Sequence, residues 1–410
     1  MNYKKLVAPS NLLFLGLGQA LIPYIYWELY GLNESYSYDV SYGPLLIIIV
    51  GFLFFWLGSR PNSFWFGSRT YSFKSSEVGF LIATKRLRLI TYITLVAIII
   101  QLLYAIKLYG GIPMLMYITS EFNVQDLNTA QTQSGFGQLG FLLLTTFFLN
   151  GLILSHMISG LKKSSNFFSI TLILLLFEIF LAAFMGKRQG IMIALTFYCV
   201  GLCIVFGSPI AFLLNSLKIK SYKNREALTV LIIIFFIIFI FGIIGSLRNN
   251  ETSFAFSDAL REVIRYYELP LINLENLYEI TGLGWYDLNF MTLFIGIVPY
   301  KILVDLDVFS NQLIPTEPTA GFGFFGGIII SFGIFGVIIM SFAYGKIAAF
   351  FYARANRSLF FLLVYCQMAW TLIASHSYNF MLSAHFLWAP AVLFFLLSKF
   401  IANSKVIKNT

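Results

Sequence analysis

Apolar residues run along this chain in stretches of about 17 to 22, each long enough to cross a hydrocarbon core at the 1.5 Å rise of an α-helix. Ten such stretches predict ten spans at about 11–30, 43–58, 88–108, 139–160, 166–185, 190–207, 227–246, 323–345, 358–375 and 382–400. An eleventh apolar run, about 288–304, contains Pro299 and Lys301 and has the length of a span. Counting it would move Lys346, Arg354, Arg357 and the basic C-terminus to the outer side. It is therefore read as interfacial or re-entrant within a large external loop, 247–322, between the seventh and eighth spans.

Composition agrees with the pattern. Of 410 residues, 59% are hydrophobic and 11% charged, and the mean hydropathy is +0.82. So few charges do not cover a soluble surface, and the expected fold class is an all-α integral membrane protein, a single polytopic domain over 1–410. Soluble enzymes and peripheral proteins are excluded. Cys199, Cys203 and Cys366 all lie in apolar runs, where they read as buried, inert thiols rather than as a disulfide framework or a zinc site.

The net charge of +9 invites a nucleic-acid reading, but topology accounts for it. With both termini cytoplasmic, seven of the 27 basic residues lie outside and the other twenty inside, from Lys4 and Lys5 through Arg60, Lys85, Arg86, Arg88, Lys162 and Lys163 to Lys346, Arg354 and Arg357. Of the 18 acidic residues only Glu77 and Glu226 join them. No cleavage site precedes residue 11, so the first span is expected to stay as a signal anchor. No internal repeat is visible, which disfavours a transporter built from inverted halves.

The seven exceptions are Lys107, Lys187, Arg188, Arg248, Arg261, Arg265 and Lys301. Lys107 and Lys301 read as interfacial snorkels. Met185-Gly186-Lys187-Arg188-Gln189-Gly190 reads as a tight outer turn, whose paired cations either anchor lipid phosphates or hold an anionic lipid-linked substrate. Arg248 stands at the outer end of the seventh span. A helix over about 258–268, capped by Ser257 or Asp258 and ended by Pro270, sets Asp258, Arg261, Arg265 and Glu268 on one face. That face is either a solvated salt-bridge ladder or an arginine pair near the headgroups. Leu260, Val263, Ile264 and Tyr267 would lay the helix on the membrane.

A carboxylate inside a span, such as Glu178, costs about 2.5–3.5 kcal/mol on insertion scales and should face the bundle interior, protonated or paired with a hydroxyl or an outer cation. His156 reads as structural. His376, in the last outer turn, and His385 beside it are external histidines, and His376 is a candidate general base. Glu317 is the second candidate, just before a span. Tyr266, Tyr267, Tyr278, Trp285 and Tyr286 offer rings for stacking on sugars, and glycines 321, 323, 326, 327, 333 and 336 read as close helix packing. Nucleotide-binding phosphate loops, zinc-protease helices and serine nucleophile elbows have no matching motif, and no metal site is expected.

Three features together resemble the Wzy-type O-antigen and capsule repeat-unit polymerases: the Gly186-Lys187-Arg188-Gln189-Gly190 turn, the arginine-bearing external loop, and the stretch from Pro315 through Gly321 into Ser331-Phe332-Gly333-Ile334-Phe335-Gly336. The resemblance covers most of the chain as architecture and about forty residues as motif. It implies a glycosyltransferase of lipopolysaccharide or capsule biosynthesis in the bacterial inner membrane, metal-independent and without cofactor. The growing glycan leaves undecaprenyl diphosphate for the terminal sugar of a new lipid-linked repeat on the periplasmic face. Lys187, Arg188, Arg248, Arg261 and Arg265 would bind diphosphate, and His376 or Glu317 would take the acceptor proton. Expected partners are the lipid-linked oligosaccharide, membrane lipid and a chain-length regulator, with no nucleic acid. The related O-antigen ligases carry a histidine in the large external loop; this loop has none. Two alternatives are a multispanning lipid-phosphate-dependent glycosyltransferase using Glu34 and Asp39, and a flippase or transporter of lipid-linked oligosaccharide.

Overall fold

The computed structural model describes residues 3–19, 42–60, 82–109, 138–163, 170–178, 188–209, 270–271, 274–275, 278–279, 323–375 and 385–398. Nearly all of them are helical. The elements are α1 (Tyr3–Leu6), α2 (Pro9–Gln19), α3 (Tyr42–Ser59), α4 (Thr84–Tyr109), α5 (Gln138–Lys163), α6 (170–178), α7 (Arg188–Phe206), α8 (Gly323–Arg354), α9 (Leu359–Ile373) and α10 (His385–Leu397). Among the described residues there is no strand, only an isolated bridge between Ile82 and Ser398. The all-α fold class holds, and nine of the expected spans coincide at least in part with a helix. The run at 227–246, the helix at about 258–268 and the segment at 288–304 lie outside the described residues.

One end of the bundle is pinned by its N-terminal segment. The Tyr352 hydroxyl of α8 donates to the Lys4 carbonyl at 2.5 Å, and that of Tyr365 in α9 donates to the Val7 carbonyl at 2.5 Å. The two rings also pack at 5.1 Å. Here α7 stops at Gly207, whose φ of +75° is the left-handed conformation that closes a helix, and the Lys4 side chain lies beside it. The Ala83 amide before α4 donates to the Leu397 carbonyl at the end of α10, and Phe360 of α9 stacks on Phe394 of α10. The starts of α4 and α9 and the ends of α7, α8 and α10 therefore meet at this end. It carries Lys4, Lys5, Lys85, Arg86, Arg88, Arg354 and Arg357.

The element α8 departs from the expected straight span at 323–345. Phe324 and Tyr344, twenty residues apart, would be separated by about 30 Å in a continuous helix. Their ring centroids are instead 5.7 Å apart. The chain folds back at Gly333, where φ is +61° and ψ −161°. A short arm, 323–332, thus lies against a long arm, 334–354. At the return, the side chains of Phe332 and Ile328 occupy the space a Cβ on Gly336 would need. Of the glycines read as helix-packing sites, Gly333 is therefore a hinge and Gly336 its clearance. Close packing against α3 falls to Gly345, whose Cβ position lies 2.9 Å from the Ser59 nitrogen and 3.1 Å from the Gly58 carbonyl carbon.

The outside of the bundle is oily. Along α4, Leu89, Tyr92, Ile93, Val96, Ile100 and Leu103 are each about 60% exposed, whereas Leu87, Thr91, Thr94 and Ile98 are buried. A helix that turns leucine and isoleucine outward and threonine inward reverses the soluble pattern. The buried hydroxyls of Thr91 and Thr94 donate to the carbonyls of Leu87 and Ile90, both at 2.8 Å. One described helix, Phe332–Arg354, is long and apolar enough to cross a membrane, and Gly43–Ser59, Phe147–Leu161, Met192–Phe206 and Leu359–Ile373 are shorter apolar helices. Arg60, Lys346 and Arg354 each fold back over the ring four residues earlier, Trp56, Phe342 and Phe350. Such pairs suit the boundary between apolar and aqueous surroundings.

Candidate functional site

At the opposite end from the N-terminal clamp, four helices share an apolar floor. Phe147 of α5, Ile193 of α7, Trp370 and Ala374 of α9 and Ala389 of α10 form one buried cluster. Arg188 opens α7 five residues before Ile193, and His385 opens α10 four residues before Ala389. The turn after α9 ends at Ser375, next to His376. The Ser375 carbonyl accepts the Phe324 amide at 2.7 Å, so the short arm of α8 starts at the same place. Gly16 of α2 fills the last gap: a Cβ there would collide with the carbonyls of Leu372 and Ile373 and with the Ser375 hydroxyl. Gln367, Thr371 and Ser375, spaced four apart, set a buried polar face on α9 beneath this end.

Arg188 is the first residue of α7, and the helix already includes Gln189 and Gly190. Residues 188–190 of the expected tight turn at 185–190 are thus helical, and its first three lie outside the described residues. Residue 188 opens a helix, whose first amides have no intrahelical acceptor and whose dipole favours an anion. The other proposed site residues lie outside the described residues: Lys187, Arg248, Arg261, Arg265, His376, Glu317, and the rings of Tyr266, Tyr267, Trp285 and Tyr286. Ser375, the residue before His376, is joined directly to Phe324 at the start of α8.

Two features went unread in the sequence. Pro270, taken as a helix stop, is itself helical, as are residues 271, 274, 275, 278 and 279. Leu271, Leu274 and Glu275 are buried, and the Tyr278 ring covers Gly43 at the start of α3, leaving no room for a Cβ. The described residues between 270 and 279 therefore lay a helical face on the bundle. The signal was present, since 271, 274, 275 and 278 have helical spacing and proline favours the first turn of a helix.

The second is a polar network in the apolar interior. Glu178 of α6 meets Tyr198 of α7, whose hydroxyl also bonds Asn150 Oδ1 of α5 at 2.8 Å. All three side chains are buried. Of the partners open to Glu178, a hydroxyl is the one found. Toward the clamped end, His156 bonds Thr91 Oγ1 through Nε2 at 2.8 Å. The Thr91 proton is already given to Leu87, so Nε2 carries the hydrogen and joins α5 to α4. This is the structural role expected of His156. No cluster of three or more metal-ligating side chains occurs among the described residues.

Compared with known proteins, the chain matches no family model, no curated protein and no solved structure.

Proposed function

We propose that this protein is a ten-span polymerase of lipid-linked oligosaccharide repeat units, acting at the outer face of the bacterial inner membrane with both termini cytoplasmic. The growing glycan is transferred from undecaprenyl diphosphate to the non-reducing-end sugar of a new lipid-linked repeat. The observation that carries the reading is a convergence. Ile193 beyond Arg188, Ala374 and Ser375 before His376, and Phe324 after Glu317 are tied together at one end of the bundle by the shared apolar floor and the Phe324–Ser375 hydrogen bond. This supports a reading in which Arg188 and a candidate base such as His376, next in the chain to Ser375, act in one region, as a transfer with a diphosphate leaving group requires.

Three further points support it. The oil-facing surface of α4 and the apolar helices suit a membrane. The basic residues at the clamped end fit a cytoplasmic face, leaving Arg188 at the outer one. The polyprenyl-linked diphosphate leaving group supplies the driving force, which fits a chain without a nucleotide-binding motif. In this account Arg188, with Lys187, Arg248, Arg261 and Arg265, binds diphosphate and stabilises the charge on the leaving oxygen, while His376 or Glu317 accepts the proton of the attacking hydroxyl. The chain-length regulator expected from the resemblance would act on the same growing chain.

Glycan length on a gel tests the reading in cells that lack the gene. Complementation with wild type is expected to convert single-repeat material into a ladder. Accumulation of repeats on the cytoplasmic side in the cells lacking the gene would instead identify a transporter. Loss of the ladder on replacing Glu34 and Asp39, with Arg188 dispensable, would favour the other glycosyltransferase.

A further inference from the structure

We propose that α3 and the long arm of α8 together hold one anionic glycerophospholipid, with its phosphate at Arg60 and Lys346 and its acyl chains along the two exposed helix faces that lead to them. On α3, Ile49, Leu53, Trp56 and Arg60 follow one another at intervals of four, three and four residues, so they share a face. On α8, Phe335, Ile339, Phe342 and Lys346 repeat the same intervals. Each row runs in the same order: two exposed apolar residues, an aromatic ring and a cation. The rows meet at their charged ends, where the Lys346 ammonium reaches the Arg60 carbonyl at 3.5 Å. Gly58 and Gly345 allow the meeting, since a Cβ on either would strike the backbone of the opposite helix.

The dimensions and the chemistry of the rows suit such a lipid. From first to last residue a row is about 16 Å long, close to half the thickness of a hydrocarbon core of about 30 Å, so an acyl chain meets apolar side chains over its length. At the charged end the Arg60 guanidinium lies over the Trp56 ring, 3.5 Å from its centre. Stacking uses the face of the guanidinium and leaves its in-plane N–H groups for a phosphate. Lys346 Nζ stands 5.4 Å from the centre of the Phe342 ring, and beyond the Arg60 carbonyl it has two further N–H groups to give. Two cations gathered at one helix contact repel unless an anion joins them, and among the described residues no carboxylate pairs with either. Both cations belong to the side that the charge pattern makes cytoplasmic, so the lipid comes from the inner leaflet. A free phosphate would answer the cations and leave the two apolar rows without an occupant. The site needs only a bilayer around the helices and is independent of the transfer reaction at the outer end.

Tryptophan quenching in vesicles tests this on the full-length protein. The vesicles are phosphatidylcholine with a fixed share of one lipid brominated near the top of its acyl chains, either phosphatidylglycerol or phosphatidylcholine. Bromine quenches on contact, and the difference between wild type and Trp56→Phe, which keeps a ring under Arg60, isolates the fluorescence of Trp56. That fluorescence is expected to fall further with brominated phosphatidylglycerol, corresponding to a preference of roughly 5- to 30-fold for one to two cations. In Arg60→Gln/Lys346→Gln, measured against the same pair with Trp56→Phe, the preference should vanish. Sodium phosphate should affect it no more than sodium chloride of equal ionic strength. Equal quenching by the two headgroups would overturn the proposal, as would a preference that survives in the double variant. A preference that phosphate abolishes would make the occupant a free anion and overturn it too. Should the double variant not fold, the headgroup comparison and the phosphate competition at Trp56 decide the matter alone.

Discussion

Arg188→Ala is expected to cut polymerisation by roughly 10- to 150-fold and leave the protein folded, because one charge-assisted hydrogen bond is worth about 1.5–3 kcal/mol in the transition state. A guanidinium is permanently charged and bidentate, and residue 188 opens α7, whose N-terminal backbone also favours an anion. Its loss removes the charge and leaves the helix. Arg188→Lys keeps a point charge without the fork, and its activity should fall between alanine and wild type. Steady-state glycan synthesis at matched protein level reads the series. Wild-type activity in Arg188→Ala would remove the outer cation from the mechanism, while a loss of folded protein would give it a structural role instead.

The second large effect is expected at Gly333. Its φ of +61° with ψ of −161° belongs to a region that side-chain-bearing residues essentially never enter. Gly333→Val should therefore cost about 1–3 kcal/mol or more, against a total stability of about 5–15 kcal/mol. The alternative for the variant is a straightened α8, which would pull Phe324 away from Tyr344, Phe55 and the Ser375 carbonyl. Gly18→Ala is the control, since a Cβ there meets nothing within 4 Å. Thermal unfolding in detergent is expected to show a lower midpoint for Gly333→Val and none for Gly18→Ala. Equal midpoints for Gly333→Val and wild type would contradict the folded-back arrangement.

Helix positions were legible because the apolar runs are long and end in charges or turn residues. The spans expected at 139–160, 190–207 and 358–375 correspond to Gln138–Lys163, Arg188–Phe206 and Leu359–Ile373. The hinge in α8 was not legible: a glycine in an apolar run has the same composition whether it lets two helices approach or reverses one. Pro270 misled for a related reason: proline breaks the apolar pattern, yet residue 270 is itself helical. Within the candidate site, Arg188 stood out because an outer cation breaks the charge pattern. Asn150 and Tyr198 gave no such sign. Their significance arises only when α5 and α7 bring them to Glu178, 28 and 20 residues away in the chain.

The central claim is chain growth from a lipid diphosphate, and reconstitution measures it most directly. Purified protein in vesicles would receive a synthetic undecaprenyl-diphosphate-linked repeat, with no nucleotide and no other protein, and the released glycans would be sized. The account predicts products of two or more repeats, formed without nucleotide and strongly reduced by Arg188→Ala. Repeats that stay single while moving across the vesicle membrane would contradict it and make the protein a transporter.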